Sequence, residues 1–286
     1  MRLIDPLARA IRRYWRVKRV DLALTLTGAI IVAWIIAMAA LAPVVAPYDP
    51  YVSVDDVLLP PSREHLMGTD NLGRDVFSRI LYGSRTVMAV VLASTMLSMG
   101  VGTLVGLVSG YFGGLVDRVL SLVMDSIYAF PGLILAIAVA AMLGPGVSNT
   151  VVSISIVYIP TYFRMIRGQV LSVKSQLYVE AATALGAPHK VIMLKYILPN
   201  VIPVLPVVFS MNVADAVLTE AGLSFLGLGV PAPTPDWGFD LRNGQRNLLA
   251  GYWWGSTFPG FMIVLLAVGF SLLGEGLNEL ISPERR

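Results

Sequence analysis

Glu180, Ala181 and Ala182, followed by Thr183, Ala184, Leu185 and Gly186, form a polar interruption in an otherwise apolar chain. Their chemistry is that of docking rather than bond making. Ala181 and Ala182 have almost no side chain and let another backbone approach closely, while Glu180 supplies one charge-assisted anchor. Gly186 accepts the left-handed conformation that ends a helix, and Pro188, two residues on, suits the first turn of a second short helix from 188 to about 196. The spacing predicts a bent two-helix arm outside the membrane, closing on Ile197, Leu198, Pro199 and Asn200.

A second polar set lies inside apolar runs. Asn212 and Asp215 share a helix face at i and i+3 beside Met211, Asp125 precedes Pro131, and Glu220 closes a run. A charge left unpaired in hydrocarbon costs several kcal/mol, so each of these groups must face a cavity or a partner. Asn212, Asp215, Met211 and Asp125 are therefore candidate pathway residues. A structural hydrogen bond is the other reading for Asn212 and Asp215, as is a bond from Asp125 to a neighbouring helix or to Arg118. Glu220 reads as an outer-end anchor. Pro131, Pro160, Pro203 and Pro206 mark bends, and bends between spans permit rocking.

Bond-making chemistry is not expected here. Cysteine is absent, and His65 and His189 stand alone, each reading as surface or satisfied structure. No Ser/His/Asp set, paired carboxylates or metal cluster occurs, so neither a catalytic nor a metal site is predicted. The segment from Gly186 to Lys190 has neither the spacing nor the preceding strand of a phosphate cradle. Any ATP-derived energy must come from another polypeptide.

These residues sit on elements that composition assigns to lipid. Of 286 residues 56% are hydrophobic and 14% charged, and the mean hydropathy is +0.73, too apolar to clothe a soluble globule of this size. A span needs about 20 apolar residues. Uncharged stretches predict a first span over 22–46, a second from 86 to 116, and a third from near 116 past Asp125. Gly144, Pro145 and Gly146 separate the third from a fourth ending near 163, and 196–221 and 247–274 supply two more, six in all. With the N-terminus on the cytoplasmic side, fifteen of the 21 Lys and Arg residues fall inside and six outside, which puts the arm and both termini in the cytoplasm. The basic segment 1–21 reads as a membrane-surface tail rather than a nucleic-acid site. A cleavable signal is the competing account of the N-terminus, but the apolar run exceeds a signal's core of about 7–15 residues.

Two outer segments are long. Residues 47–85 are expected to hold an amphipathic helix over about 71–81, with Asp75 and Arg79 paired one turn apart. The outer loop 223–256 reads as an interfacial cap, with Trp237, Trp253 and Trp254 at the headgroup level. Within 86–286, Ser94, Ser98, Gly102, Gly106, Gly110 and Gly114 recur every fourth residue and wind a shallow groove around one helix. Packing within the subunit is the leading reading of that groove, and a subunit interface the other.

The 164–199 segment resembles the EAA loop of binding-protein-dependent ABC importer permeases. That pattern is Glu-Ala-Ala, three residues, Gly, nine residues and Ile-x-Leu-Pro; Tyr196 replaces the isoleucine here, while Leu198 and Pro199 match. Gly68-Thr69-Asp70, Gly73-Arg74-Asp75, Ser78-Arg79, the run from Glu220 to Gly229, and Trp237-Gly238 are similar to the dipeptide, oligopeptide and nickel branch. The resemblance implies an all-α, six-span type I importer permease fold. It implies ATPase coupling through Glu180, Ala181, Ala182, Gly186, Ala187, Pro188, Leu198 and Pro199, and contact of Gly73, Arg74, Asp75 and Trp237 with a substrate-binding protein. It further implies a homologous second permease and two ATPase subunits or domains, which would carry ATP and magnesium, with no cofactor in this chain. Dipeptides or short oligopeptides are the implied cargo, with nickel chelates or glutathione as the alternative. An ion-coupled secondary transporter would need charged sites midway through several spans, where only Asp125 and Asp215 come close.

Overall fold

The computed structural model describes the backbone of residues 4–281 and the side chains of 22–279. Among the described residues every long element is a helix. The order is α1 (Ile4–Val45), α2 (Val76–Phe112), α3 (Gly114–Tyr128), α4 (Gly132–Leu143), α5 (Val147–Lys174), α6 (Leu177–Ala184), α7 (His189–Val191), α8 (Leu198–Val201), α9 (Leu205–Leu226), α10 (Trp237–Gln245) and α11 (Trp254–Ile281). Four helical stretches are long and apolar enough to cross a membrane, and five if α3 and α4 count as one broken span. The helix α5 has the length, but its serines, threonines and tyrosines make it less apolar. Leu22, Ile30, Trp34 and Val44 stay exposed on α1, as suits a helix whose solvent is lipid.

Close approach of small residues organises the bundle. A Cβ on Gly102 would stand 2.7 Å from the Ile159 carbonyl, and one on Gly106 2.8 Å from that of Phe163, so α2 and α5 touch backbone to backbone. Ser98 Oγ donates to the Ser155 carbonyl at 3.0 Å, and Ser155 Oγ donates to that of Ser94 at 3.1 Å. The groove thus serves packing within the subunit. It ends at Gly110, because Gly114 opens α3 and has no neighbour near its Cβ position. Gly28, Gly269 and Gly276 do the same work between α1 and α11.

Two expectations about elements require correction and two gain detail. No separate amphipathic helix stands over 71–81: Asp75 caps α2 by accepting from Ser78 N at 2.7 Å, and the helix runs from Val76 unbroken into the membrane. The third span is broken, since α3 and α4 meet at 92°. Pro131 has extended ψ and no N–H to continue the ladder, so a new helix must start at Gly132. The second half of the arm is not a short helix either. From His189 the chain is helical to Leu226, through a π-type stretch (Ile192–Ile197) and a 3-10 turn (Ile202–Val204). Pro199, Pro203 and Pro206 each remove a donor, and the hydrogen-bond register shifts around them rather than stopping. Finally, α1 extends back to Ile4, so most of segment 1–21 continues the first helix; its side chains lie outside the described residues.

The outer segments lock onto each other. Arg79 reaches Asp240, not Asp75: Nη2 donates at 2.6 Å and Nε at 3.0 Å, while Nη1 donates to the Pro50 carbonyl at 2.9 Å. Burial pushes the Asp240 carboxyl up from its ordinary range, and the Arg79 guanidinium opposes that rise. Asp75 instead bonds His65 Nδ1 at 2.9 Å. Trp237 Nε1 donates to the Ile80 carbonyl and Trp254 Nε1 to that of Thr69, both at 3.0 Å, so both rings are buried. Only Trp253 of the three tryptophans assigned to the interface is exposed. Removing one partner of a buried pair costs about 3–5 kcal/mol. Arg79→Met is accordingly expected to lower the melting temperature of the detergent-purified subunit clearly, and Arg79→Lys to restore little, because an ammonium lacks the two-pronged fork. Unchanged melting of Arg79→Met would remove the pair from the account of the outer cap.

Candidate functional site

Two regions hold the polar residues singled out above. The first is the arm. α6 ends as Gly186 takes φ +79°, with Gly186 N bonded to the Thr183 carbonyl at 3.0 Å and Ala187 N to that of Ala182 at 3.1 Å. That pair of bonds is a Schellman stop, so the glycine ends the helix as expected. Beneath it, Val179 packs with Leu107, Ile166, Val170, Ile192 and Ile197, which ties the arm to the ends of α2 and α5. Tyr111 Oη bonds His189 Nδ1 at 2.7 Å, satisfying that histidine.

This inward packing corrects the reading of the alanines. Ala182 is buried in the subunit's own core and only Ala181 faces out. The outward stripe is Leu177, Ala181 and Leu185, at i, i+4 and i+8, with Glu180 exposed alongside. Leu177 is 82% and Leu185 88% exposed, too open for apolar side chains unless something covers them. In the sequence Leu177 went unremarked, and Leu185 figured only as part of the run, with no role of its own. Their spacing on a helix outside the apolar runs is the signal that pointed to them. Pro188 lies at the start of the following helix in extended conformation and Ala187 is half-buried, while Leu198 and Pro199 belong to the continuous helix leading into α9.

The second region is a cavity of about 450 Å³ walled by α3, the 92° break, α4, α5 and α9. Met211, Asn212 and Asp215 line it with Tyr128, Leu135 and Tyr158, so three of the four candidate pathway residues come together. Asp125 does not join them. Its carboxylate accepts from Arg164 Nη2 at 2.7 Å in an exposed pair, and Arg164 also stacks on the Tyr128 ring at 3.8 Å. Its partner is thus Arg164 rather than Arg118, because the break turns the end of α3 towards α5. Asn212 and Tyr162 are buried side by side, and Asn212 Nδ2 and Tyr162 Oη face each other without a closer partner. Tyr158 Oη bonds Thr219 Oγ1 at 2.9 Å. Glu220 is fully buried and accepts from Ser224 Oγ at 2.9 Å, consistent with an anchor.

The outer residues expected to meet a binding protein do not face outward. Gly73, Arg74, Asp75 and Trp237 are all buried: Arg74 pairs with Asp70 at 2.7 Å, and Asp75 and Trp237 make the bonds described above. Their polar atoms are spent in holding the outer cap together. A Cβ on Gly73 would stand 2.2 Å from the Asp55 carbonyl, so that glycine permits a loop crossing.

Comparison with known proteins places these features in a family context. Residues 102–286 match the family described as binding-protein-dependent transport system inner membrane component, and residues 9–61 match the N-terminal TM domain of oligopeptide transport permease C. The chain is 40% identical over 262 residues to a probable D,D-dipeptide transport system permease protein of Escherichia coli strain K12, covering 91% of this chain and 88% of that one. It is 38% identical over 275 residues to a glutathione transport system permease protein of Pectobacterium atrosepticum, covering 96% and 91%. The corresponding glutathione permease of Escherichia coli O157:H7 is 37% identical over 274 residues, covering 95% and 89%.

Proposed function

The chain belongs to the family of binding-protein-dependent transport system inner membrane components, as an ABC importer permease of the C-type dipeptide and oligopeptide kind, and on that premise we propose how it works. It forms half of a six-span-per-subunit pore with a homologous second permease, α5 being the sixth crossing. The arm 164–199 lies in the cytoplasm, as the Lys and Arg distribution favours, and α6 seats in the cleft of an ATPase subunit. ATP binding draws two such ATPases together, and the arm moves with its socket. The core beneath Val179 carries that motion into α2 and α5, and the break between α3 and α4 lets the cavity open alternately to each side. An extracytoplasmic binding protein delivers cargo to the outer cap. Exposed Leu248, Leu249, Tyr252 and Trp253 suit that contact, in place of the buried residues first expected.

The cargo is a dipeptide or short oligopeptide. Both named transport systems among the relatives handle small peptides, and Asn212 and Asp215 give the cavity wall hydrogen-bonding and charged groups suited to a peptide. A glutathione importer is the alternative, carried by the second relative.

The exposed apolar stripe of α6 carries the coupling reading. Because the chain has no cysteine, Leu185→Cys introduces its one thiol, which tests sidedness directly. In sealed cells a membrane-impermeant maleimide is expected to leave that thiol unlabelled, to label it in inside-out vesicles, and to be blocked when the ATPase is bound. The full chain should also bring down an ATPase and a sister permease on purification. Labelling from the outside of intact cells would overturn the arrangement.

A further inference from the structure

Asp215 stands near the middle of α9, roughly 15 Å along the axis from either end at 1.5 Å per residue. With Met211 and Leu218 it forms the exposed face of that helix, at i, i+4 and i+7, and it opens into the cavity. Among the described residues it is the sole charged one on the cavity wall. Arg164, which stacks on the wall residue Tyr128, is already committed to Asp125. Nothing described on this chain forms an ion pair with Asp215. One turn away, Asn212, only 5% exposed, adds a side-chain amide on the same wall, next to Tyr162. Tyr128, Tyr158 and Phe130 add aromatic surface, which attracts cations through the ring face.

A carboxylate within a span is costly unless water or a counter-charge meets it. The cavity supplies the water, and passing cargo can supply the charge. We propose that Asp215 makes this half of the path selective for cargo bearing a protonated amine, such as the α-ammonium of a peptide, and unfavourable to net anionic cargo. The inference rests on the cavity being part of the path, and it narrows the cargo. A peptide with one ammonium and one carboxylate can turn its amine to Asp215, whereas glutathione, with two carboxylates and one ammonium, meets net repulsion.

The test uses the assembled transporter in membrane vesicles, with Met211→Cys as the only thiol of this chain, read by the mass of this chain after reaction with methanethiosulfonates. The trimethylammonium reagent is expected to outpace the sulfonate reagent, and Asp215→Asn to shrink that ratio by about tenfold, the effect of one unit charge one helical turn away in a partly hydrated site. Asp215→Glu, which retains the charge, should keep the ratio. If both reagents react and the ratio is the same with and without Asp215, the path stands and the charge selectivity falls. If neither reagent reaches the thiol in any nucleotide state, the path reading and this inference fall together.

Discussion

Leu185→Glu is expected to leave the subunit inserted and folded while cutting ATP-driven uptake by roughly 30- to 1,000-fold, the equivalent of losing a central interface side chain worth about 2–4 kcal/mol. The argument turns on which way α6 faces. At 88% exposure the Leu185 side chain supports nothing in its own subunit, so its replacement should shift the melting temperature little. A glutamate there would be buried without a counter-charge once the ATPase closes over the stripe. Ala182→Leu is the contrasting variant: Ala182 is buried within the subunit, so a larger side chain there should destabilise the subunit itself. Glu180→Lys reverses the one anchor charge, and Gly186→Val puts a β-branched residue at φ +79°, a conformation costing roughly 1–2 kcal/mol outside glycine. Both should uncouple ATP hydrolysis from uptake with insertion intact. Uptake at wild-type rate in Leu185→Glu, Glu180→Lys and Gly186→Val alike would remove the arm from the coupling path.

Gly106→Leu should act on assembly instead. A Cβ at Gly106 already falls 2.8 Å from the Phe163 carbonyl and 3.1 Å from Ile166 Cβ, and leucine adds three more carbons beyond it. Backbone cannot yield as a flexible side chain does, so α2 and α5 would have to separate along their length. Overpacking costs about 1–3 kcal/mol, and more where backbone must move, a large share of the roughly 5–15 kcal/mol that holds a folded protein. The serine hydroxyls that cross between the helices at Ser98 and Ser155 would be pulled apart as well. The yield of folded subunit in detergent, read by size-exclusion profile, should fall at least tenfold, whereas Gly100→Ala, with open space around it, should be silent. Normal yield and transport in Gly106→Leu would reject close packing of α2 on α5.

Much of the site could be read from residue types because its logic is local. The glycine stop at Gly186 depends only on one residue's freedom to adopt positive φ, and the structure places it there with the two bonds that such a stop requires. Asn212, Asp215 and Met211 share a face because three or four residues make one turn, whatever surrounds them. What failed were readings that left out a partner far along the chain, whereas the expected packing of the small-residue groove within the subunit held. Arg79 and Asp75 are one turn apart and pair in neither direction, since the acid that meets Arg79 lies 161 residues away on α10. Pro199 reads as the exit of the arm and Pro203 and Pro206 as bends, yet the chain stays helical through all three by way of π and 3-10 turns.

Residence in lipid, the positions of the longest apolar stretches, the glycine that ends α6 and the carboxylate within α9 were legible from the residues alone. Each of these is a property of one residue or one helical period. Only the tertiary structure decided that Ala181 faces out while Ala182 faces in, that Arg74, Asp75 and Trp237 are interior residues, and that the third span breaks at 92° to wall the cavity. The physical reason is that a 3.6-residue period tells which side chains share a face of a helix, but which face is covered depends on neighbours brought alongside by the rest of the chain.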